Sequence, residues 1–408
     1  MKKILLICQY YPLPEDVGTN IRTMNFVRFF QEYGPIDIAY SHIFSWKKGQ
    51  TDSLFSSEIF LERATDKSFR ERFMRWVQIR NRPLYVPKYN DYAERRLFSL
   101  IESNNYDYIL VRYAMNAWNL LKLPLKYRIR TIIDYDDIKS GSLYESVIDS
   151  ADGYFRKNKL RLNQRFLLKY EKKCLNFGAS LFCSEEDMAG ITGNNEKGNA
   201  FVVPNVYNNK SFEDYTFGDG FLNGNVLLFV GALMYKPNID GLQWFIKSVY
   251  SEFKKKIPDA KLMIVGRSPS REVKELCESN DGVELHSDVQ DVREYYKKSR
   301  VVVVPLLSGG GTRIKILEAA LANRPIFSTP VGASGLHFND GDNIVLFEHA
   351  DTFFSEFVKL QNKNLYHSLI SSARKTVLST YSARNFNENM TKVLENIDSK
   401  NWQNQEAK

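Results

Sequence analysis

The chain has 408 residues, of which 43% are hydrophobic and 25% are charged, values typical of a globular protein. This composition excludes a largely disordered, collagen-like or low-complexity chain, and at roughly 150 residues per domain it predicts more than one domain. The net charge of +8 is compatible with an anionic partner.

Several classes of protein are disfavoured by what the sequence lacks. No apolar run approaches the ~18 residues of a transmembrane helix. The apolar stretch Ile4–Cys8 is shorter than the core of a signal peptide, so we expect a strand there and a cytoplasmic protein. Neither the five histidines nor the four cysteines have metal-ligand spacing, which predicts reduced cysteines and no metal site.

The first half of the chain alternates between short apolar runs and helical patterns. A helical pattern covers Asn20–Tyr33. The predicted strands are Lys3–Cys8, Ile36–Tyr40, Tyr108–Val111, Thr131–Ile133, Ser180–Cys183 and Phe201–Val203. Such alternation predicts a parallel, doubly wound sheet.

A basic segment interrupts this half. Arg63–Arg96 holds ten Lys or Arg residues and four Asp or Glu residues, with six aromatic residues among them. Such a segment is either an ordinary solvated surface or a contact with an anionic partner, and its aromatic residues favour a membrane surface. A peripheral contact with the inner face of the plasma membrane is therefore a further expectation.

After Pro204 the pattern pauses over the polar residues 206–225 and then restarts. Strands are predicted at Val226–Val230, Lys261–Val265, Val283–Leu285, Val301–Pro305, Pro325–Ser328 and Ile344–Phe347. Helices are predicted near Ile239–Phe253, Arg271–Glu278, Val292–Ser299 and Thr312–Asn323. The predicted organisation is a first domain over 1–205, a linker over 206–225, a second domain over 226–380 and a helical tail over 381–408 that returns to the first domain.

Two doubly wound α/β domains are thus expected, each resembling a Rossmann fold. Ligands of such sheets bind at the carboxyl ends of the strands. We therefore expect the two domains to face each other across a cleft that holds the functional site.

The segment Ser308–Thr329 carries the most informative chemistry. Three glycines, Gly309–Gly311, follow an apolar strand and precede Thr312, a good N-cap residue for the next helix. A glycine turn that leads into a helix N-terminus is suited to bind phosphate. Arg313 and Lys315 are unfavourable for the helix dipole in this first turn, which indicates that an anion binds there.

Glu318 is expected to be partly buried, since apolar residues flank it on the same helix. A buried carboxylate needs hydrogen-bond partners, and vicinal sugar hydroxyls are suitable ones. The helix is predicted to end at Asn323, before Pro325.

Five segments in order along the second domain carry a resemblance to a known family. They are GALMYKPNIDGLQWF (Gly231–Phe245), VGR (Val265–Arg267), DVQDVREYY (Asp288–Tyr296), GGGTRIKILEA from Gly309, and STPVGASGL (Ser328–Leu336). They resemble the donor domain of retaining GT-B-fold glycosyltransferases of family 4, also called group 1, in a subgroup from bacterial exopolysaccharide and surface-glycan clusters.

The resemblance implies roles for residues of the second domain. Glu318 matches the glutamate that accepts hydrogen bonds from the donor ribose. Gly310 stands where most of the family has another glutamate, and Gly310, Gly311 and Thr312 are expected to contact the donor through their backbone. Ala232 stands where the family has an arginine for the diphosphate.

Other donor contacts are implied around the same site. Lys236 stands roughly where the family has a lysine that binds the diphosphate. Gly231, in the turn before it, is also expected to contact the donor. Val289 lies in the loop that contacts the nucleobase, near Arg267. From the charge balance we expect Arg313 and Lys315 to supply the missing positive charge and to act on the leaving group.

In the first domain, Gly18 follows the first strand, where the family has a glycine pair. Arg22 opens the next helix and is expected to contact the donor phosphate. Asp134, Asp136 and Asp137 follow a strand. We expect these carboxylates to bind acceptor hydroxyls rather than a metal ion, with Asp137 as the acceptor-side catalytic residue.

The implied activity is retaining transfer of a sugar from a nucleotide-diphosphate donor to a hydroxyl of a glycan, lipid-linked or protein-linked acceptor. The resemblance implies no metal and no other cofactor, since the nucleotide-sugar is a substrate. Two alternatives remain open. One is another enzyme on this fold, a nucleotide-sugar epimerase or a phosphorylase. The other is a non-catalytic partner subunit, which remains an alternative because Ala232 and Gly310 depart from the family's pattern.

Overall fold

The computed structural model describes residues 1–13, 18–42, 54–62, 83, 86, 89–136, 138, 140–141, 148, 153–193, 198–207, 210–308 and 313–406. The chain forms two compact units. The first comprises Met1–Val206 and Ala383–Lys408, and the second comprises Tyr207–Ser382. Most of the basic segment Arg63–Arg96 lies outside the described residues.

The first unit is built on a parallel sheet of seven strands in the order β3-β2-β1-β4-β5-β6-β7. The strands are β1 (Ile4–Tyr10), β2 (Ile36–His42), β3 (Ser57–Phe60), β4 (Tyr108–Arg112), β5 (Thr131–Asp134), β6 (Ala179–Phe182) and β7 (Ala200–Val202). Both faces of this sheet are buried, as expected for a parallel sheet between helices.

Helices cover both faces of the first sheet. They are α1 (Gly18–Gln31), α2 (Asp91–Asn104), α3 (Leu125–Arg128), α4 (Tyr154–Cys174) and α5 (Glu185–Thr192), with 3₁₀ turns at Ala114–Ala117 and Asn119–Lys122. On one face, Ile4 and Leu6 of β1 share a core with α1 and with the C-terminal helix, Ala383–Glu406. On the other face, Leu5 and Ile7 share a core with α2 and α4.

The second unit has a parallel sheet of six strands in the order β10-β9-β8-β11-β12-β13. The strands are β8 (Val226–Val230), β9 (Lys261–Gly266), β10 (Val283–Ser287), β11 (Val301–Val304), β12 (Ile326–Ser328) and β13 (Val345–Leu346). All four residues of β11 are fully buried. This explains why its sequence is an unbroken run of valine, a residue that suits a strand buried on both faces.

The helices of the second unit flank this sheet. They are α6 (Lys210–Glu213), α7 (Lys236–Phe245), α8 (Ser251–Lys256), α9 (Arg271–Glu278), α10 (Arg293–Lys298), α11 (Ile314–Leu321), α12 (Pro330–Ala333), α13 (Ala350–Lys359) and α14 (Lys363–Thr380), with a 3₁₀ turn at Gly220–Leu222. The C-terminal helix Ala383–Glu406 is numbered α15. None of the helices in the described ranges is both long and apolar enough to cross a membrane.

The expected fold class is confirmed, since both units are parallel-sheet, Rossmann-like α/β structures. Two details differ from expectation. The helix predicted at Ile239–Phe253 is interrupted by a π-helical turn at Ile246–Tyr250 between α7 and α8. The residues predicted as a linker contribute Tyr207, Phe212 and Phe217 to a core of the second unit, because their aromatic rings pack under α11.

Candidate functional site

The candidate site lies at the carboxyl edge of the second unit's sheet. Gly231 follows β8, Arg267 follows β9, Val289 follows β10, and α11 begins beyond β11. The first two turns touch closely, since a Cβ atom added to Gly266 would lie 1.8 Å from the carbonyl oxygen of Gly231. Because the carboxyl ends of parallel strands share one edge, segments distant in sequence meet here.

Lys315, in the first turn of α11, lies directly beside the turn after β8. Its Nζ donates a hydrogen bond to Asn238 Oδ1 at 2.8 Å and lies 4.5 Å from the ring centroid of Phe229. A Cβ atom added to Gly231 would lie 3.1 Å from the same Nζ. Asn238 Nδ2 in turn donates to the carbonyl of Ala232 at 2.9 Å, so α7 holds both the turn and the lysine.

The ammonium group of Lys315 is unusually easy to deprotonate. Burial, together with the positive charge of Arg313, lowers its pKa to about 7, while Glu318 acts in the opposite direction. Within the described ranges, no carboxylate lies at salt-bridge distance from Nζ, whose hydrogen bond goes to the neutral Asn238. An anion bound beside Nζ would favour the charged form and raise this pKa.

Arg313 adds a second cationic side chain immediately before α11. It is buried, and its Nη2 donates to the carbonyl of Val331, in α12, at 3.5 Å. The helix itself begins at Ile314, with Arg313 as its N-cap residue and without a side-chain capping bond. Two basic residues thus lie at a helix N-terminus, where the dipole also favours an anion.

Glu318 lies one turn further along α11 and is held by two tyrosines. Its Oε1 accepts a hydrogen bond from the hydroxyl of Tyr207 and its Oε2 one from the hydroxyl of Tyr296, both at 2.9 Å. Burial raises the pKa of Glu318, while the two phenols and Lys315 oppose that rise. The expected partners were sugar hydroxyls. The structure pairs each oxygen with a phenol and leaves each a further lone pair for a ligand.

Three predicted donor contacts have surroundings that differ from those of Lys315. Lys236 is 69% exposed and pairs with Asp240, one turn along α7, at 2.6 Å. Arg267 is exposed, while Val289 is partly buried against a core of the second unit. Lys315, rather than Lys236, is therefore the lysine in contact with the turn after β8.

Several predicted site residues cannot be placed. Gly310, Gly311, Thr312 and Asp137 lie outside the described residues. Gly18, by contrast, is described and is the first residue of α1.

Arg22 is buried inside the first unit. Only 1% of its side chain is exposed, and its Nη2 lies 2.6 Å from Asp134 Oδ1. Its Nη1 donates to the carbonyl of Val203 at 2.9 Å and to Asn205 Oδ1 at 2.8 Å. This geometry does not support the expected phosphate contact, because the guanidinium is already bonded to protein acceptors.

Asp134 and Asp136 are likewise engaged within the protein. Arg112 pairs with Asp134 through Nη1, and its Nη2 donates to Asp136 Oδ2 at 2.8 Å. Burial alone would raise the pKa of Asp136, but the charges of Arg112 and Arg22 lower it below its usual value. These two carboxylates are thus in ion pairs rather than open to acceptor hydroxyls. In the described ranges no three or more His, Cys, Asp or Glu residues are grouped to hold a metal ion.

Sequence reasoning missed Asn238, Tyr207, Tyr296 and Arg112. Asn238 stands in the segment Gly231–Phe245 that carries the resemblance, so the signal for it was available. Tyr296 likewise ends the segment Asp288–Tyr296 that carries the resemblance, whereas Tyr207 gave no comparable signal, because tyrosine in an aromatic-rich segment is equally typical of a core position.

Comparison with known proteins finds a family match over the part of the chain that contains most of this site. Residues 224–363, which include α7 to α13 and the whole candidate site except Tyr207, match the family model described as glycosyl transferases group 1. An uncharacterised 44.6 kDa protein from the cps region of Klebsiella pneumoniae is 24% identical over 322 residues, which cover 76% of this chain and 78% of that protein.

Solved structures resemble the whole chain. TarM of S. aureus superposes with a TM-score of 0.66 at 12% identity, covering 97% of this chain and 99% of TarM. HepE of Anabaena, in complex with UDP and glucose, superposes with a TM-score of 0.61 at 12% identity, covering 97% of this chain and 100% of HepE. The fold is GT-B, and the domain match together with the fold supports a glycosyltransferase.

Proposed function

We propose that the protein is a retaining glycosyltransferase that moves a sugar from a nucleotide-diphosphate donor to an acceptor hydroxyl in surface polysaccharide or glycoconjugate synthesis. One observation carries the proposal. Lys315 and Glu318 lie one turn apart on α11, at the strand ends of a domain that matches group 1 glycosyl transferases. Their spacing suits a diphosphate and the ribose attached to it.

The donor would bind along the first turn of α11. Lys315 lacks a carboxylate partner at salt-bridge distance among the described residues, so a diphosphate would supply its counter-charge. Arg313 would contribute a second positive charge. Glu318, oriented by Tyr207 and Tyr296, would accept hydrogen bonds from the ribose hydroxyls. We place UDP-sugars first among the donors because HepE, a structural neighbour, binds UDP and glucose.

The proposed chemistry is a substitution on one face of the sugar. The bond between the anomeric carbon and the diphosphate oxygen breaks, a bond from the acceptor oxygen to that carbon forms on the same face, and the acceptor proton passes to the leaving phosphate. Negative charge grows on the diphosphate as the bond breaks. Preorganised cations stabilise such charge strongly, which is the role proposed for Lys315 and Arg313.

The proposed acceptor is a hydroxyl of a glycan, a lipid-linked sugar or a protein-linked sugar. The relative from the cps region of Klebsiella pneumoniae supports a role in surface polysaccharide synthesis.

A donor screen tests the function. The protein is incubated with UDP-, GDP- and ADP-sugars, with and without simple glycan acceptors, and the products are identified by mass spectrometry and by the NMR coupling of the anomeric proton. We expect hydrolysis or transfer of one donor class with retained configuration. Conversion to a C2 epimer would instead assign an epimerase. Nucleotide binding without any transfer would assign a non-catalytic partner.

Replacing Glu318 by glutamine is expected to abolish recognition of the ribose. The wild-type protein should bind UDP more tightly than 2′-deoxy-UDP by about 10-fold to 100-fold, because a hydrogen bond to a charged group contributes about 1.5–3 kcal/mol. Glu318→Gln should bind both nucleotides with similar, weaker affinity. Isothermal titration calorimetry measures the four constants.

Glu278→Gln is the matched control, since Glu278 is exposed on α9 of the same unit. This variant should keep the preference for the ribonucleotide. If Glu318→Gln also kept that preference, the assignment of Glu318 to the ribose would be wrong.

A further inference from the structure

Helix α4 of the first unit has an unusual charge. Its 21 residues, Tyr154–Cys174, include eight Lys or Arg residues and a single acidic residue, Glu171. Glu171 is only 2% exposed, and its carboxylate accepts a hydrogen bond from Ser140. The carboxylate of Glu171 therefore lies inside the protein, and every charged group on the exposed side of the helix is positive.

Nine of the ten exposed residues of α4 form one continuous face, whereas the tenth, Arg156, projects to another side near the N-terminus of the helix. Its cationic members are Lys159, Arg161, Arg165, Lys169, Lys172 and Lys173, and its apolar members are Tyr154, Phe155 and Leu162. We call these nine residues the cationic face of α4. At 100° of rotation per residue they all project within about half of the helix circumference, while Asn163, Leu167 and Tyr170 project to the buried side.

The central cations of this face are open to a partner. Within the described part of the chain, Arg161, Arg165 and Lys169 form no ion pair with a carboxylate. The aromatic rings at its N-terminal end are also exposed, Tyr154 by 75% and Phe155 by 88%, and Leu162 is exposed by 45%. Large apolar side chains that are this exposed are suited to insert into an apolar environment outside the protein.

We propose that the cationic face of α4 docks the protein on an anionic lipid bilayer, parallel to the membrane surface. The Lys and Arg side chains of this face would attract the phosphate groups of anionic lipids, while their aliphatic stems would lie against the interface. Tyr154, Phe155 and Leu162 would enter the boundary between the headgroups and the acyl chains.

The apolar members of this face decide between a membrane and a nucleic acid. Both partners attract cations, and aromatic rings also stack on exposed bases. Leu162 has no π face, yet it lies on the same side of the helix as Phe155. Insertion of an aliphatic side chain among lipid acyl chains is favourable, whereas contact with a phosphate backbone does not bury it in an apolar environment.

Vesicle flotation tests the proposal. The full-length protein is mixed with vesicles of phosphatidylcholine alone, or of equal parts of phosphatidylcholine and phosphatidylglycerol, at low and high salt. We expect binding to the anionic vesicles only, weakened by salt because the charges are exposed. Arg161→Glu with Arg165→Glu should weaken that binding by at least about 30-fold, since each basic residue near the surface contributes about 1 kcal/mol.

The matched control changes the net charge equally on the other unit. Lys247 and Lys274 are exposed in the second unit, and Lys247→Glu with Lys274→Glu should leave vesicle binding within about twofold of the wild type. Equal loss in both double variants would overturn the proposal, because it would show a response to net charge alone. Circular dichroism verifies that both variants are folded.

A second pair of substitutions separates insertion from charge attraction. Tyr154→Ser with Phe155→Ser should weaken binding to the anionic vesicles while its salt dependence persists. The proposal would be overturned if the protein bound neither vesicle. It would also be overturned if single-stranded RNA bound in a manner that required Arg161 and Arg165 while vesicles did not.

Discussion

Replacing Lys315 by methionine is expected to lower kcat by about a hundredfold to a thousandfold, with a smaller rise in KM for the donor. Removal of one preorganised group that stabilises developing negative charge has effects of this size. Methionine keeps much of the aliphatic volume over Phe229 and removes only the ammonium group, which bonds to Asn238. Steady-state kinetics with a donor identified by the screen measures both constants.

The same substitution should remove a pH dependence of donor binding. Lys315 has a pKa lowered to about 7 by burial, and a bound diphosphate would raise it. Donor affinity should therefore be constant below pH 7 and fall by up to about tenfold per pH unit above it, because binding then requires uptake of a proton. The intact nucleotide-sugar is the suitable ligand, since its diphosphate does not titrate in this range.

Lys236→Met is the control for both measurements. Lys236 is 69% exposed and pairs with Asp240, so its loss should change kcat by less than about threefold. If Lys236→Met and Lys315→Met were equally impaired, or if Lys315→Met kept the pH dependence, the diphosphate role would not belong to Lys315.

Replacing Arg112 by methionine is expected to destabilise the protein by about 3–5 kcal/mol, because it leaves two buried carboxylates with one arginine. Arg112 pairs with both Asp134 and Asp136, and only Arg22 remains for them in the variant. Since the pKa of Asp136 is lowered in the folded protein, this stabilisation is present above the unfolded pKa and is lost as pH falls through the folded one.

Urea unfolding monitored by circular dichroism measures the change. Arg95→Met, which removes an exposed arginine of α2, should alter the free energy of unfolding by less than about 0.5 kcal/mol. A loss below about 1 kcal/mol in Arg112→Met would contradict the view that these four charges stabilise the strand ends of the first unit.

Much of the fold was predictable because buried parallel strands leave a strong local signal. The runs Val226–Val230 and Val301–Val304 are bounded as predicted or within one residue, and so is the helix Arg271–Glu278. Strand β3, Ser57–Phe60, was missed because only one of its four residues is buried. Half-exposed edge strands carry little hydrophobic pattern.

The partners of the site residues were not predictable from local pattern. Glu318 and Tyr207 are 111 positions apart, and Arg22 and Asp134 are 112 apart. The sequence therefore predicted that Glu318 needs hydrogen-bond partners without identifying the phenols. It assigned Arg22 to a ligand because a carboxylate partner inside the protein gives no signal at such a separation.

The proposed function depends above all on the binding of a nucleoside diphosphate at the first turn of α11. A crystal structure with UDP or the donor found by the screen tests it most directly. We predict diphosphate oxygens at hydrogen-bond distance from Lys315 Nζ and a ribose hydroxyl on the Glu318 carboxylate, with Tyr207 and Tyr296 still in place. A nucleotide bound elsewhere, with Lys315 still bonded to Asn238 alone, would contradict the account.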